Sequence, residues 1–202
     1  MKFTKLSPKA FEQIQINAGI VLPEFDPETA AFDPNDIIAS TDDGGFKIDC
    51  VSTYTDFGED IANCPKNTME LMQLESWDCK ISGTFLTVTT ELIKRVLGAA
   101  DIDPDTYKIT PRRDVTAEDF HDLWWVGDYS DKNGENNGGF LAVHLMNALS
   151  TDGLSFQSGD KKKGSFTATF TGHVSMAAQD VVPMEFFLVS GKAEPVVDPD
   201  TP

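Results

Sequence analysis

The chain has 202 residues, with 16 Lys and Arg against 33 Asp and Glu, so its formal charge is −17. That balance excludes a non-specific grip on nucleic acid, which needs cationic side chains to displace counterions from phosphates. The charge is also spread evenly, 8 basic and 16 acidic side chains in residues 1–100 and 8 and 17 in residues 101–202, so no acidic tail conceals a basic module. With 40% apolar residues and 14 Phe the chain can bury a core, and intrinsic disorder is excluded for most of it.

No stretch approaches the roughly 20 apolar residues of a membrane helix. Residues 1–8 lack the apolar core of a signal peptide, so a soluble protein made in the cytoplasm, with no membrane partner, is expected. Phe11–Ile20 alternates, with Ile14, Ile16, Ala18 and Ile20 opposite Gln13, Gln15 and Asn17, and reads as a strand. Residues 21–44 hold Pro23, Pro27, Pro34 and seven acidic side chains with no basic one, and read as an extended connection outside any packed element. A strand follows, with Phe46, Ile48 and Cys50 opposite Lys47, Asp49, Val51 and Thr53. Residues 55–75 fit no packed element either, apart from a helical turn at Met69–Leu74, and a connection that long is functional or mobile.

The next strand places Trp77, Cys79, Ile81, Gly83 and Phe85 on one face and Asp78, Lys80, Ser82 and Thr84 on the other. One helix is predicted, capped by Thr90, with Leu92, Ile93, Val96, Leu97 and Ala100 at helical spacing and Gly98 weakening its last turn. A short helical turn is expected at Thr116–Phe120. Leu123–Val126, Phe140–Val143 and Phe186–Val189 are continuous apolar runs that read as strands buried on both faces. The first two flank a polar tip, Asp128–Gly139, whose Asn133-Gly134 suits a hairpin turn. In 166–176 the even positions Phe166, Ala168, Phe170, Gly172, Val174 and Met176 pack, opposite Thr167, Thr169, Thr171, His173 and Ser175. The expected fold is mainly β: a β-sandwich or barrel of about seven or eight strands with one flanking α-helix. It forms a single domain over 1–191, with an N-terminal arm at 1–12 and a flexible acidic C-terminal tail at 192–202.

Chemistry is hard to place on this pattern. There is no GxSxG elbow, and His121, His144 and His173 stand in unlike settings. Cys50, Cys64 and Cys79 form no CxxC pair and read as reduced core thiols, and zinc-ligand spacing is absent. Oxygen ligands surround Gly134, but an EF-hand register would put Tyr129 first and Phe140 twelfth. The pairs Asp42-Asp43 and Glu59-Asp60 are what 33 acids produce unaided. No enzymatic activity, catalytic residue, metal ligand or cofactor is therefore expected.

The order of several segments carries a resemblance. Asp56-Phe57-Gly58-Glu59-Asp60-Ile61-Ala62-Asn63-Cys64-Pro65-Lys66-Asn67-Thr68 resembles a stretch of the major tail (tail tube) proteins of long non-contractile-tailed bacteriophages and prophages of Gram-positive bacteria. So do Ser82–Phe85, Trp124–Asp131, His144–Ser150 and Ala178–Pro183, and together they cover most of residues 11–190. The resemblance implies a structural virion protein of siphovirus type, a β-sandwich with a flanking helix that self-assembles into stacked hexameric rings. The stack is the hollow tail tube through which DNA passes at ejection without tight binding. The implied partners are further copies of the chain and the tape-measure, tail-terminator and baseplate or distal tail proteins. The implied location is the phage tail, assembled in the host cytoplasm.

By position, residues 55–75 are the candidate inter-ring loop, represented by Asp56, Phe57, Glu59, Asp60, Asn63, Lys66 and Asn67. Residues 1–12 and 192–202 are candidate bridging arms. The polar strand faces are the candidate lumen wall: Lys47, Asp49 and Thr53; Asp78, Lys80, Ser82 and Thr84; Thr167, Thr169 and Thr171. Lys161–Lys163, Arg112 and Arg113 are candidates for ion pairs between rings. The competing reading is a monomeric β-sandwich ligand-binding module, whose mark would be an exposed aromatic platform; Trp77, Trp124 and Trp125 all read as core.

Overall fold

A computed structural model describes residues 15–38, 41–128, 139–161 and 163–189. Within them the chain forms ten strands and one α-helix. The strands are β1 (Ile16–Leu22), β2 (Thr41–Asp56), β3 (Met72–Phe85), β4 (Ala100–Ile102), β5 (Ile109–Pro111), β6 (His121–Asp128), β7 (Phe140–Ser150), β8 (Ser155–Gln157), β9 (Ser165–Thr171) and β10 (Met184–Val189). The helix α1 spans Thr90–Leu97 between β3 and β4. The mainly β, sandwich-like class read from the sequence is the observed one.

Two antiparallel layers share β7. One layer runs β1-β6-β7-β10 and the other β2-β3-β9-β8. The first residues of β7 pair with β6 and β10, whereas Leu149 and Ser150 pair with Thr171 and Phe170 of β9. The change of layer falls at Asn147, whose φ is 47°. Its backbone N–H donates to Asp122 Oδ1 at 3.0 Å and its side-chain amide donates to the carbonyl of His173 at 3.0 Å. Asparagine tolerates this left-handed backbone, and its short amide satisfies the strand that leaves.

The core lies between the layers. Val21, Leu123, Trp125, Val143 and Leu145 face Cys79, Ile81, Phe85, Phe166, Ala168 and Phe170, with Leu92 and Val96 of α1 closing one end. Phe85 stacks on Phe166 with ring centroids 5.6 Å apart. Each such fully buried side chain stabilises the fold by about 1.5–3 kcal/mol relative to an exposed one. Thr89, rather than Thr90, caps the helix: its hydroxyl accepts the Leu92 N–H at 3.1 Å. Gly98 ends the helix with a φ of 76°, and the predicted turn near Thr116–Phe120 appears as a 3-10 turn over Ala117–Asp119.

Several expectations need correction. The connection after β1 is not outside the packed structure: Val21 and Leu22 are buried strand residues, and Phe25 is buried against the opposite face of the β6–β7 layer. There Phe25, Leu22, Trp124 and Ala142 form a second cluster flanked by Ile37 and Phe187. Pro-rich, acidic composition concealed three apolar side chains, Phe25, Ile37 and Ile38, that pin the segment down. β9 stops at Thr171, so Val174 and Met176 are exposed rather than packed. A Cβ at Gly172 would lie 2.7 Å from Leu145 Cδ1 and 2.9 Å from the Pro183 carbonyl, so the chain turns where only glycine fits. β10 is not buried on both faces; among the described residues it pairs with β7 alone, leaving Phe186, Leu188 and Val189 exposed along an edge. Residues 1–12, the tip 129–138, Lys162 and the tail 192–202 lie outside the described residues, as does most of the oxygen-rich loop around Gly134.

Arg112 is committed within the fold rather than free for an ion pair between copies. It pairs with Asp101 at 2.8 Å and with the buried Asp119, tying the β4–β5 ribbon to the turn before β6. Burial raises the Asp119 pKa, but hydrogen bonds from the Thr116 backbone and hydroxyl and the Arg112 guanidinium outweigh it and hold the carboxyl below its ordinary range. A carboxyl whose folded pKa lies below its unfolded one adds stability above about pH 4, lost as pH falls through the folded value. Asp119→Asn is therefore expected to lower stability at pH 7 by about 3–5 kcal/mol, the cost of breaking a buried ion pair. Urea unfolding at pH 7 and at pH 3 checks this, and the gap between wild type and variant should narrow at the lower pH.

Candidate functional site

The β2–β3 hairpin dominates one side of the molecule. β3 pairs with β9 only from Lys80 to Phe85. From Asp78 back to Met72 the ribbon consists of β2 and β3 alone, continuing in register to Asp56↔Met72. At about 3.3 Å per residue this overhang reaches roughly 20 Å beyond the three-stranded region. No residue of β2 beyond Cys50, or of β3 before Cys79, is buried.

All ten candidate wall residues fall on the outward face of this layer. The register aligns Lys47 with Ser82 and Thr169, Asp49 with Lys80 and Thr171, and Thr84 with Thr167. Thr53 lies opposite Ser76 on the overhang, next to the Val51↔Asp78 pair. The four charges cancel in pairs: Lys47 Nζ donates to Asp49 at 2.6 Å and Lys80 Nζ to Asp78 at 2.6 Å. The Asp78 hydrogen bond raises the Lys80 pKa, so the lysine stays charged. Thr84 and Thr167 hydroxyls lie 3.5 Å apart, and Thr151 and Thr171 hydroxyls 3.4 Å apart. Val51 is an apolar side chain on this face, and it is exposed. The result is a hydroxyl-rich sheet face with balanced charges in a strongly acidic protein.

The opposite face of the overhang differs in kind. Inward, this face carries Ile48, Cys50, Cys79 and Ile81 into the core. Outward, the same pleat continues through Trp77, Tyr54, Leu74 and Met72, all exposed, where no further described strand pairs with the ribbon. Trp77 is 38% exposed and Tyr54 54%, so Trp77 is not the core residue that its alternation with Cys79 and Ile81 suggests. Sequence periodicity missed the stripe because of a bulge. Ser76 pairs with Thr53 and Leu74 with Tyr54, leaving Glu75 as an extra residue that shifts the phase of β3.

The loop joining the strands, residues 57–71, holds the remaining candidates. It is folded on itself. Asp56 accepts the N–H of Gly58 at 2.8 Å and of Asn67 at 3.0 Å, and Phe57 N–H donates to the Leu71 carbonyl at 3.0 Å. Asn63 and Asn67 adopt left-handed φ values of 64° and 59°. Cys64 belongs here rather than to the core, half-buried with its Sγ 3.5 Å from the Thr68 hydroxyl. Phe57, Glu59, Asp60, Asn63, Lys66 and Asn67 are all exposed, with Ile61, and Met69 at 79% exposure, beside them. The expected helical turn is shorter than predicted, covering Met69–Leu71 before β3 begins.

Elsewhere the other two tryptophans and the histidines are engaged within the fold, whereas Phe32, Tyr107, Phe156 and Phe186 are exposed. Trp125 Nε1 donates to the Ala18 carbonyl at 3.0 Å, where Gly19 (φ 76°) lets β1 approach the indole. Trp124 stacks on His144 with centroids 4.1 Å apart, and the two His144 ring nitrogens face Asp122 at 3.1 Å and Glu185 at 3.3 Å. His173 packs edge-on to Phe120 and is tied to the Asn147 carbonyl. Burial, with Arg95 and Lys94 nearby, lowers the His121 pKa. No group of three or more potential metal ligands occurs among the described residues. Among them, too, no helix is long and apolar enough to cross a membrane. No protein-family model and no curated protein matches the chain.

Gly58 is the pivot of the loop. A Cβ there would sit 2.9 Å from Cys64 Sγ and 3.0 Å from both Asp56 Oδ1 and Leu71 Cδ1. Gly58→Ala should therefore loosen the loop, by about 1–3 kcal/mol of local stability, the usual cost of overpacking. Hydrogen exchange is the measurement: the amides of Phe57, Cys64 and Leu71 should exchange faster, while those of β6 and β7 keep their wild-type rates.

Proposed function

We propose that the protein is a tail tube protein, a structural virion component that assembles into stacked rings around a channel for DNA. The overhanging hairpin carries this reading. A two-stranded ribbon with an uncovered apolar face and a folded, apolar-tipped loop is poorly suited to a monomer, because it leaves Trp77, Tyr54, Leu74, Met69 and Phe57 in water. Covered by a neighbouring copy, the same ribbon is a ready-made contact that continues the core of one subunit into the next.

The polar face supports the second half of the proposal. DNA moving along a wall adheres wherever lysines release its counterions, and here each wall lysine is neutralised by an aspartate. Hydroxyls and balanced charge make that face indifferent to phosphate, and the overall charge of −17 adds repulsion. The polar layer ends in β2 and β8, each paired on one side only among the described residues. Edge-to-edge joining of copies would close this layer into a barrel and remove both edges. Hexameric rings, tape-measure, terminator and distal tail partners, and residence in the phage tail belong to the same reading.

Electron microscopy of the purified full chain, concentrated at moderate salt, tests the proposal: rings or hollow tubes are expected. Replacing Phe57, Ile61 and Met69 with Ser should leave the sandwich folded and abolish stacking. A chain that stays monomeric, and a loop variant that assembles like wild type, would both count against it, the first in favour of a ligand-binding module. Because like charges must be brought together, assembly should also be faster at moderate than at very low ionic strength. Light scattering against salt reads this out; the opposite trend would mean that ion pairs between copies drive stacking.

A further inference from the structure

We propose that Cys50 and Cys79 are a redox-active dithiol that closes to a disulfide at the root of the projecting hairpin. The two residues are direct partners across β2 and β3, and their sulfurs lie 3.5 Å apart. Directly opposed strand residues bring their Cα atoms within the span that a disulfide bridges, so closure needs only a small approach of the sulfurs. The place in the fold is distinctive. Cys79 is the buried residue of β3 nearest the overhang, and beyond this pair no further described strand joins the ribbon. A bond here would fasten the register of the ribbon where it leaves the body.

The two thiols are not equivalent. Cys79 is buried, whereas Cys50 is only half-buried. Burial, with the Cys50 thiol and the Asp78 carboxylate beside it, pushes the Cys79 pKa up to about 12, so Cys79 stays protonated. Cys50 is therefore the sulfur that meets an oxidant first, and the oxidant class is a hydroperoxide. The Cys50 sulfur attacks the peroxide and gives up its thiol proton; an S–O bond forms, the O–O bond breaks, and the leaving oxygen takes up that proton and departs as water or alcohol. Cys79 sulfur then displaces hydroxide from the Cys50 sulfenic acid. The S–O bond breaks, the S–S bond forms, and the hydroxide takes the Cys79 proton to leave as water. Two electrons pass from the two sulfurs to the peroxide, which balances the step. This inference does not depend on the assembly proposed above.

The test uses the full chain with Cys64→Ser, which removes the third thiol and keeps a hydroxyl beside Thr68. The protein is exposed to hydrogen peroxide, quenched, denatured and treated with N-ethylmaleimide, and its intact mass is measured. The expected product is a single chain that has lost two hydrogens and takes up no maleimide, and that accepts two after reduction with dithiothreitol. The chain with all three cysteines gives a parallel readout, one maleimide after peroxide instead of three. Uptake of both maleimides by the Cys64→Ser protein after peroxide, addition of oxygen without loss of two hydrogens, or disulfides joining separate chains would each overturn the proposal.

Discussion

The structure depends on one constraint: a long antiparallel hairpin keeps one face largely apolar, interrupted by Ser52 and Asp56, although among the described residues only half of its length is covered. Along β2 and β3 the pleat sends Ile48, Cys50, Cys79 and Ile81 into the core and then, without changing face, Tyr54, Trp77, Leu74 and Met72 into solvent. A register slip of one residue would invert both halves together. The sandwich therefore sets the register, and the overhang inherits it. The Glu75 bulge increases the twist just past the body, re-aiming the ribbon without breaking the ladder.

The outward face follows the same logic. Its ion pairs join residues two apart on one strand, with Lys47 on Asp49 and Lys80 on Asp78. Exposed pairs of this kind contribute little to stability, about 0–1 kcal/mol each. Their effect is to fix the sign of the surface: the net of these four side chains is zero in a chain whose overall charge is −17. The excess acid is therefore carried elsewhere, including the segment after β1 and the loop tip with Glu59, Asp60 and Glu70. A sheet face of hydroxyls and cancelled charges in a chain whose excess acid lies in other segments is a distribution that composition alone does not reveal.

Much of the fold was legible because its strongest elements are periodic. The core strands around Ile81, Trp125 and Phe170, the helix stripe of Leu92 and Val96, and the outward face from Lys47 to Thr171 all follow from alternation or helical spacing. What was not legible depends on where an element ends relative to its neighbours. Trp77 has the same phase as Cys79, yet one is exposed and the other buried, because β9 pairs with β3 no further than Lys80. Phe186 looks like a core residue in a run of four apolar residues, yet β10 is an edge among the described residues. Phe25, conversely, sits in a Pro- and acid-rich stretch and is buried by tertiary contact with Trp124 and Phe140. The bulge at Glu75 erased the one local pattern that would have revealed the apolar stripe on the overhang.

The loop at the tip shows how such a projection can bind at low entropic cost. A flexible 15-residue connection between Asp56 and Met72 would have to be ordered at the moment of contact, and association already opposes lost translational and rotational freedom. Here the ordering is done in advance. Asp56 gathers the N–H groups of Gly58 and Asn67, Thr68 closes onto the Pro65 carbonyl at 2.8 Å, and Leu71 returns the chain to the ladder through Phe57. Much of the loop's polar backbone is satisfied internally, including the N–H groups of Phe57, Gly58, Ile61, Cys64, Asn67 and Leu71, which lowers the polar cost of presenting Phe57, Ile61 and Met69 to an apolar surface. In the proposed assembly a loop built this way would meet a neighbouring copy as a preformed knob, and the affinity it added would come from apolar burial rather than from folding on contact.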